Sequence, residues 1–181
     1  MAVLAGDGLL TDAFAMAASA ELPAEAVRYA VSLLAECAGS LGMVGGQALD
    51  IMSEERLLSE QEVLDIQTRK TGRLITAACT MGVVAGGGTT AQLEAAATFA
   101  GALGLAFQIR DDMLDVIGSK DEMGKSVGTD ENKNTFVRLY GLDKCEELVQ
   151  KYTQIAIDSL SCFDDNTAMT ELARWLTDRR N

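Results

Sequence analysis

Histidine is absent from the sequence, proline occurs once, and aromatic residues make up only 5%. Without histidine, Ser-His-Asp triads, His-ligated zinc or haem and Glu-x-x-His di-iron bundles are excluded. So few prolines and aromatics argue against a β-sandwich or barrel, which needs turns and strand formers throughout. Basic residues are also scarce: 15 stand against 27 acidic ones, for a formal charge of −12. Such a chain is a poor general binder of nucleic acid or anionic membrane. Phosphate would be reached only through a local basic cluster or a bridging divalent metal. The four cysteines, Cys37, Cys79, Cys145 and Cys162, form no Cys-x-x-Cys pair and are expected to be buried free thiols in a reducing cytosol. The opening MAVLAGDGLLTDAF has no basic stretch and is interrupted by Asp7, so no signal peptide is expected. The uncharged apolar run over residues 95–109 is shorter than the roughly 20 residues of a spanning helix and reads as a buried core helix. A soluble, cytoplasmic protein with no membrane span is the expectation.

What is present points to an all-α fold. Hydrophobic residues are 48% of 181, and alanine, leucine, glutamate and methionine dominate, which are strong helix formers. Helical spacing runs over residues 4–20 and, after Pro23, over residues 24–44, with Gly45-Gly46 as an interruption. Ser59 with Glu62 forms a capping box opening a helix through Lys70. Lys70-Thr71-Gly72 reads as a short break, and residues 73–85 are helical up to Gly86-Gly87-Gly88. Thr89 or Thr90 caps a long helix to about Ile117, and residues 118–134 read as a long polar loop. Asp143 with Glu146 is expected to cap a helix to about Leu160, and Asn166 or Thr167 to start the last one, which ends in Arg179-Arg180. No repeat or linker divides the chain, so a single helical domain is expected.

Three segments carry possible chemistry. In FQIRDDMLDVIG, Asp111 and Asp115 are one turn apart and share a helix face, with Asp112 flanking them and Gln108 a turn earlier. Continuing back, Gly104, Gly101 and Ala97 leave that stripe open. Clustered carboxylates repel unless a cation lies between them, and oxygen ligands suit Mg²⁺; a solvated acidic helix end is the plainer alternative. Arg69-Lys70-Thr71-Gly72-Arg73 gathers three cations in an acidic chain, or is a basic helix terminus. The third segment, residues 124–130, carries Lys125 between glycines and is not a Walker loop. An acidic metal face, a Lys-Thr pair and a lysine loop together describe a metal-bridged diphosphate site.

The stretches AVLAGDGLLTDAF, GGQALDI, RKTGRLI, GLAFQIRDDMLDVIG and GKSVGTD occur in that order. In this the chain resembles the C-terminal part of the trans-isoprenyl diphosphate synthases, makers of farnesyl, geranylgeranyl and longer prenyl diphosphates. The resemblance implies an all-α bundle around a central cavity, a homodimer or self-associating chain, and Mg²⁺ as cofactor. It implies a prenyltransferase that condenses an allylic prenyl diphosphate with isopentenyl diphosphate. Asp111, Asp112 and Asp115 would hold Mg²⁺, Lys70 and Lys125 would contact the departing diphosphate, and Thr71 and Gln108 would turn oxygen dipoles towards the allylic cation. Gly101 and Gly104 would border the prenyl cavity, an inference from the helical stripe.

The family's first aspartate-rich motif would lie before AVLAGD, and no other Asp-Asp-x-x-Asp is present. Residues 1–181 are therefore expected to be the C-terminal part of one polyprenyl synthetase domain, with half the metal site and the usual isopentenyl-diphosphate-binding basic residues outside it. The run from Asp130 to Thr135 is shorter than the family's, which leaves Lys133 without a clear counterpart. Two alternatives remain: a non-catalytic helical subunit that binds and modulates a complete synthase, and a terpene cyclase-like enzyme, against which GGQALDI and KTG argue. Missing helices would also leave apolar surface exposed and favour self-association.

Overall fold

The computed structural model describes residues 1–123 and 134–179, with the backbone alone for 119–123. The segment expected as a lysine loop, with Lys125 and Lys133, and residues Arg180 and Asn181 lie outside the described residues. Eight helices follow one another with no strand among the described residues. They are α1 (Ala2–Ala18), α2 (Ala24–Ala38), α3 (Met43–Met52), α4 (Glu60–Gln67), α5 (Arg73–Ala85), α6 (Thr90–Met123), α7 (Phe136–Ser159) and α8 (Thr167–Thr177). The all-α expectation holds.

Local capping explains most boundaries. At α4, Ser59 Oγ accepts from Glu62 N and Glu62 Oε2 accepts from Ser59 N at 2.9 Å, a reciprocal box whose hydrogen bonds from Ser59 hold the Glu62 carboxyl down at about 2. Thr89 and Gln92 form the same arrangement at the start of α6. Gly87, at φ 67°, turns the chain after α5.

Four expectations need correction. The helix expected over residues 24–44 stops at Ala38, and the Gly45-Gly46 pair falls inside α3 instead of interrupting a helix. Lys70-Thr71-Gly72 is no break: residues Thr68–Gly72 form one π-type turn that joins α4 to α5 continuously. Residues 118–123, expected as the start of a loop, belong to α6, which runs through Gly118 to Met123. Finally, α7 starts at Phe136, capped by Thr135 Oγ1, which accepts from Arg138 N. The break near Asp143 is instead Gly141, at φ 75° and ψ 165°, and Glu146 turns to Arg110 on α6 rather than back to a cap.

Helix α6 is the axis of the bundle. Its Ile109 and Met113 pack with Val63 and Ile66 of α4 and Phe136 and Val149 of α7. Further back, Phe99 and Leu103 pack with Ala156 of α7 and Ala173 of α8. Burying such side chains removes apolar surface from water at roughly 25 cal/mol per Å². By contrast α1 buries only Ala17, while Leu4, Leu9 and Met16 are exposed. Leu41, Val44, Ile51 and Met52, in and beside α3, are exposed too. The stretch Ala24–Met52 reaches the length and mean hydropathy of a membrane span. It is broken by the turn at residues 39–42 and pairs Asp50 with Lys70. Three cysteines are buried or half-buried, and burial pushes their thiols up, as befits inert side chains; Cys162 is exposed.

Candidate active site

The π turn at Thr68–Gly72 is held between two glycines. A methyl group at Gly46 of α3 would lie 2.4 Å from Lys70 N and 2.8 Å from Arg69 Cβ. One at Gly104 of α6 would lie 3.2 Å from Gly72 Cα and 3.4 Å from Ile75 Cδ1. Only side-chain-free positions let the backbones approach this closely. A π-type turn widens the helix locally and re-aims its side chains, a feature often found where function is concentrated.

Each glycine is followed four residues later, on the same helix face, by the polar group that meets the turn. After Gly46 comes Asp50, whose Oδ2 accepts from Lys70 Nζ at 2.6 Å. After Gly104 comes Gln108, whose Oε1 accepts from Thr71 Oγ1 at 3.2 Å. A further turn along α6 is Asp112, whose Oδ1 accepts from Gln108 Nε2 at 3.1 Å and whose Oδ2 accepts from Phe136 N at 2.8 Å. A continuous polar chain therefore runs from the π turn through α6 to the first residue of α7.

The three aspartates part company. Asp112 is 6% exposed; desolvation raises its carboxyl to about 6, against the opposing pull of the Phe136 and Gln108 hydrogen bonds. Asp115 is exposed and Asp111 partly so. Burial raises the Asp111 carboxyl, while the Arg179 guanidinium, in contact with it, lowers it. That guanidinium also lies over the Phe107 ring, 4.2 Å from its centre. Asp111 and Asp115, a turn apart, offer hard oxygens, the donor type that suits Mg²⁺. Among the described residues no third carboxylate joins these two closely enough for a three-ligand site.

The three cations around the π turn are individually matched rather than pooled. Arg69 pairs with Asp65 at 3.0 Å, Lys70 with Asp50 at 2.6 Å, and Arg73 approaches Glu36 at 3.8 Å. The structure thus joins Thr71 to Gln108 and Lys70 to Asp50, places Asp111 on α6 a turn beyond Gln108, and buries Asp112 against the start of α7, while Lys125 lies outside the described residues. Sequence reading missed Asp50, although the four-residue spacing from Gly46 to Asp50 repeats that from Gly104 to Gln108. It also missed the fork of Arg110, which donates to both Glu146 oxygens at 2.8 and 3.0 Å and to Thr177 O at 2.6 Å.

Gly101 and Gly104 do not line the larger of two cavities along α6. The space at Gly104 is filled by Gly72, and the exposed Gly101 lines a recess of about 140 Å³ beside Gln67 and Thr76. The larger cavity, about 880 Å³, lies on another face of α6, between α5 and α8. It is walled by residues such as Leu74, Val83, Phe99, Leu103 and Leu172, and its Phe107 end lies beside the Asp111–Arg179 pair. Apolar lining ending next to charged groups suits a molecule with an apolar body and a charged head.

The family model described as polyprenyl synthetase matches residues 1–171. A farnesyl diphosphate synthase of Micrococcus luteus is 41% identical over 170 residues, which are 91% of this chain and 58% of the relative. Geranylgeranyl pyrophosphate synthase 3, chloroplastic, of Arabidopsis thaliana is 38% identical over 192 residues, 100% of this chain and 53% of the relative. The chain thus spans little more than half the length of these relatives. Among solved structures, an FPP/GFPP synthase from Zymomonas mobilis superposes with a TM-score of 0.82 at 29% identity, covering 97% of this chain and 60% of that one. A geranyltransferase from Helicobacter pylori, complexed with magnesium and isoprenyl diphosphate, does so with a TM-score of 0.76 at 30% identity, covering 98% and 59%.

Proposed function

Because this chain belongs to the polyprenyl synthetase family, we propose that it carries the diphosphate-releasing wall of a prenyl-chain-elongating site. In that reaction the allylic C–O bond breaks, and its electron pair leaves with the diphosphate. The double bond of isopentenyl diphosphate supplies the pair for the new C–C bond, and loss of a proton restores an alkene five carbons further on. The observation that carries the reading is the Thr71–Gln108 contact, which joins the Lys-Thr turn to the acidic end of α6.

The roles follow from the groups. Asp111 and Asp115 would hold Mg²⁺, which when bound neutralises charge gathering on the leaving diphosphate. Lys70 adds a compact, mobile positive charge beside it, and Lys125 is proposed for the same task on the strength of the sequence resemblance. Thr71 Oγ1 and Gln108 Oε1 turn lone pairs towards the carbocation, a preorganised stabilisation of charge as it develops. Asp50 keeps the Lys70 ammonium aligned until an anion arrives. The exposed apolar faces of α1 and α3 support association with a second helical subunit or copy.

Calorimetry with Mg²⁺ and inorganic pyrophosphate tests the wall itself. Binding is expected and should weaken in Asp111→Asn by at least the roughly tenfold that even the loss of an outer-shell partner costs a metal site. Mg²⁺-dependent incorporation of labelled isopentenyl diphosphate, with dimethylallyl, geranyl or farnesyl diphosphate, tests the reaction. With a single Asp-Asp-x-x-Asp in the sequence, little product is expected from this chain alone. Turnover in a mixture with an inactive but complete synthase, lost in Asp111→Asn, would support the reading. Absence of any Mg²⁺-dependent pyrophosphate binding would overturn it.

A further inference from the structure

We infer that Asp112 is a positioning residue that sets the polarity of the Thr71–Gln108 pair, and that it is not a ligand of the metal held by the same aspartate-rich segment. The inference deepens the function proposed above and rests on it for the meaning of that polarity. The geometry stands without it.

Successive helical residues are rotated by about 100°, so Asp112 turns away from the face shared by Asp111 and Asp115. It is buried between α6 and the start of α7, each carboxylate oxygen already accepting one hydrogen bond. A carboxylate retains further lone pairs, yet a Mg²⁺ that keeps several waters has no room there. The two bonds have different strengths of constraint. Phe136 N–H can only donate, and as the first residue of α7 it has no partner within its own helix. It therefore fixes Asp112 as its acceptor. The other oxygen then demands a donor, which only the NH₂ end of Gln108 can provide.

That demand orients the whole chain of groups. With its NH₂ committed to Asp112, Gln108 must present Oε1 to Thr71, and the Thr71 hydroxyl spends its single hydrogen on that oxygen. What remains on both groups is lone pairs, the negative ends of dipoles. An Asn at position 112 has one acceptor and one donor. The acceptor stays with Phe136 N–H, the donor faces Gln108, and Gln108 turns over to meet it. The wall would then present N–H groups where a carbocation needs oxygen.

Two measurements on the intact chain test this. In a titration with Mg²⁺ and pyrophosphate, the ¹³C carboxyl resonances of Asp111 and Asp115 should move while that of Asp112 stays. Asp112→Asn should bind Mg²⁺-pyrophosphate within about twofold of wild type, against a loss of about tenfold or more for Asp111→Asn. Movement of the Asp112 carboxyl with the others, or an equal loss in both variants, would overturn the inference. Separately, the ¹⁵N–¹H signals of the Gln108 side-chain amide should shift in Asp112→Asn, because its NH₂ changes partner, and should shift less in Thr71→Val, which leaves that partner in place. A purely structural cap on α7 would lower stability in Asp112→Asn and leave the Gln108 amide unchanged. Should Asp112→Asn fail to fold, the wild-type carboxyl titration and Thr71→Val still decide. If no metal-pyrophosphate binds, the proposed function fails, while the Gln108 amide signals still report on Asp112.

Discussion

Around the π turn, a methyl group added at Gly46 would strike the Lys70 backbone, whereas along α1 one added at Gly6 or Gly8 would meet nothing within 4 Å. Both regions are helical and rich in small residues, yet they are completed differently. At the turn, α3 and α6 close on a backbone from two sides, and each supplies a polar partner one helical turn beyond its glycine. Along α1, glycines alternate with exposed leucine and methionine, with Leu9 and Met16 each 73% exposed. In one region a glycine is needed because the chain itself fills the space; in the other nothing in the chain does. The same residue type therefore means close packing in one place and an uncovered surface in another.

The contrast can be broken or sharpened by substitution. The largest effect is expected behind the turn. Ile109→Ala empties a site that is 1% exposed among Val63, Phe136 and Val149, and should cost about 3 kcal/mol in chemical denaturation. Leu9→Ala in α1 should stay within about 0.5 kcal/mol of wild type. Next come the glycines. Gly46→Ala should cost about 2 kcal/mol through overpacking against Lys70, while Gly6→Ala should raise stability by up to about 1 kcal/mol through helix propensity. Equal effects at the two glycines would remove the distinction drawn between the regions.

A smaller effect concerns pH. The hydrogen bonds from Arg110 lower the Glu146 carboxyl from its ordinary value. A group with a depressed folded-state pKa contributes its stabilisation fully above the unfolded value, near 4.3 for Glu. That contribution is lost as pH falls through the folded value. The difference in unfolding free energy between wild type and Glu146→Gln should therefore be greatest near neutrality and shrink on acidification. The Glu146 side chain is 41% exposed, so the difference should stay below about 1 kcal/mol. Smallest in stability is the double change Leu9→Glu with Met16→Glu, within about 0.5 kcal/mol. Light scattering should nevertheless show less self-association than in wild type, because charge replaces exposed apolar surface.

The sequence by itself determined what depends on neighbours within about four residues. Helix content follows from composition, the starts of α4 and α6 from Ser59–Glu62 and Thr89–Gln92, and the end of α5 from its run of glycines. The shared face of Asp111 and Asp115 is likewise a matter of helical period. The start of α7 was readable in principle from Thr135, but a polar run before it and Gly141 after it hid a short, kinked segment. Tertiary structure alone decided the remainder. That Lys70-Thr71-Gly72 continues a helix as a π turn depends on Gly46 and Gly104 pressing from two other helices. That Asp112, which the helical period turns away from its neighbours, is buried and held depends on a helix-terminal N–H brought to it by α7, 24 residues along the chain. Such contacts join residues far apart in sequence, and the free energy that selects them comes from burial and from satisfying buried polar groups.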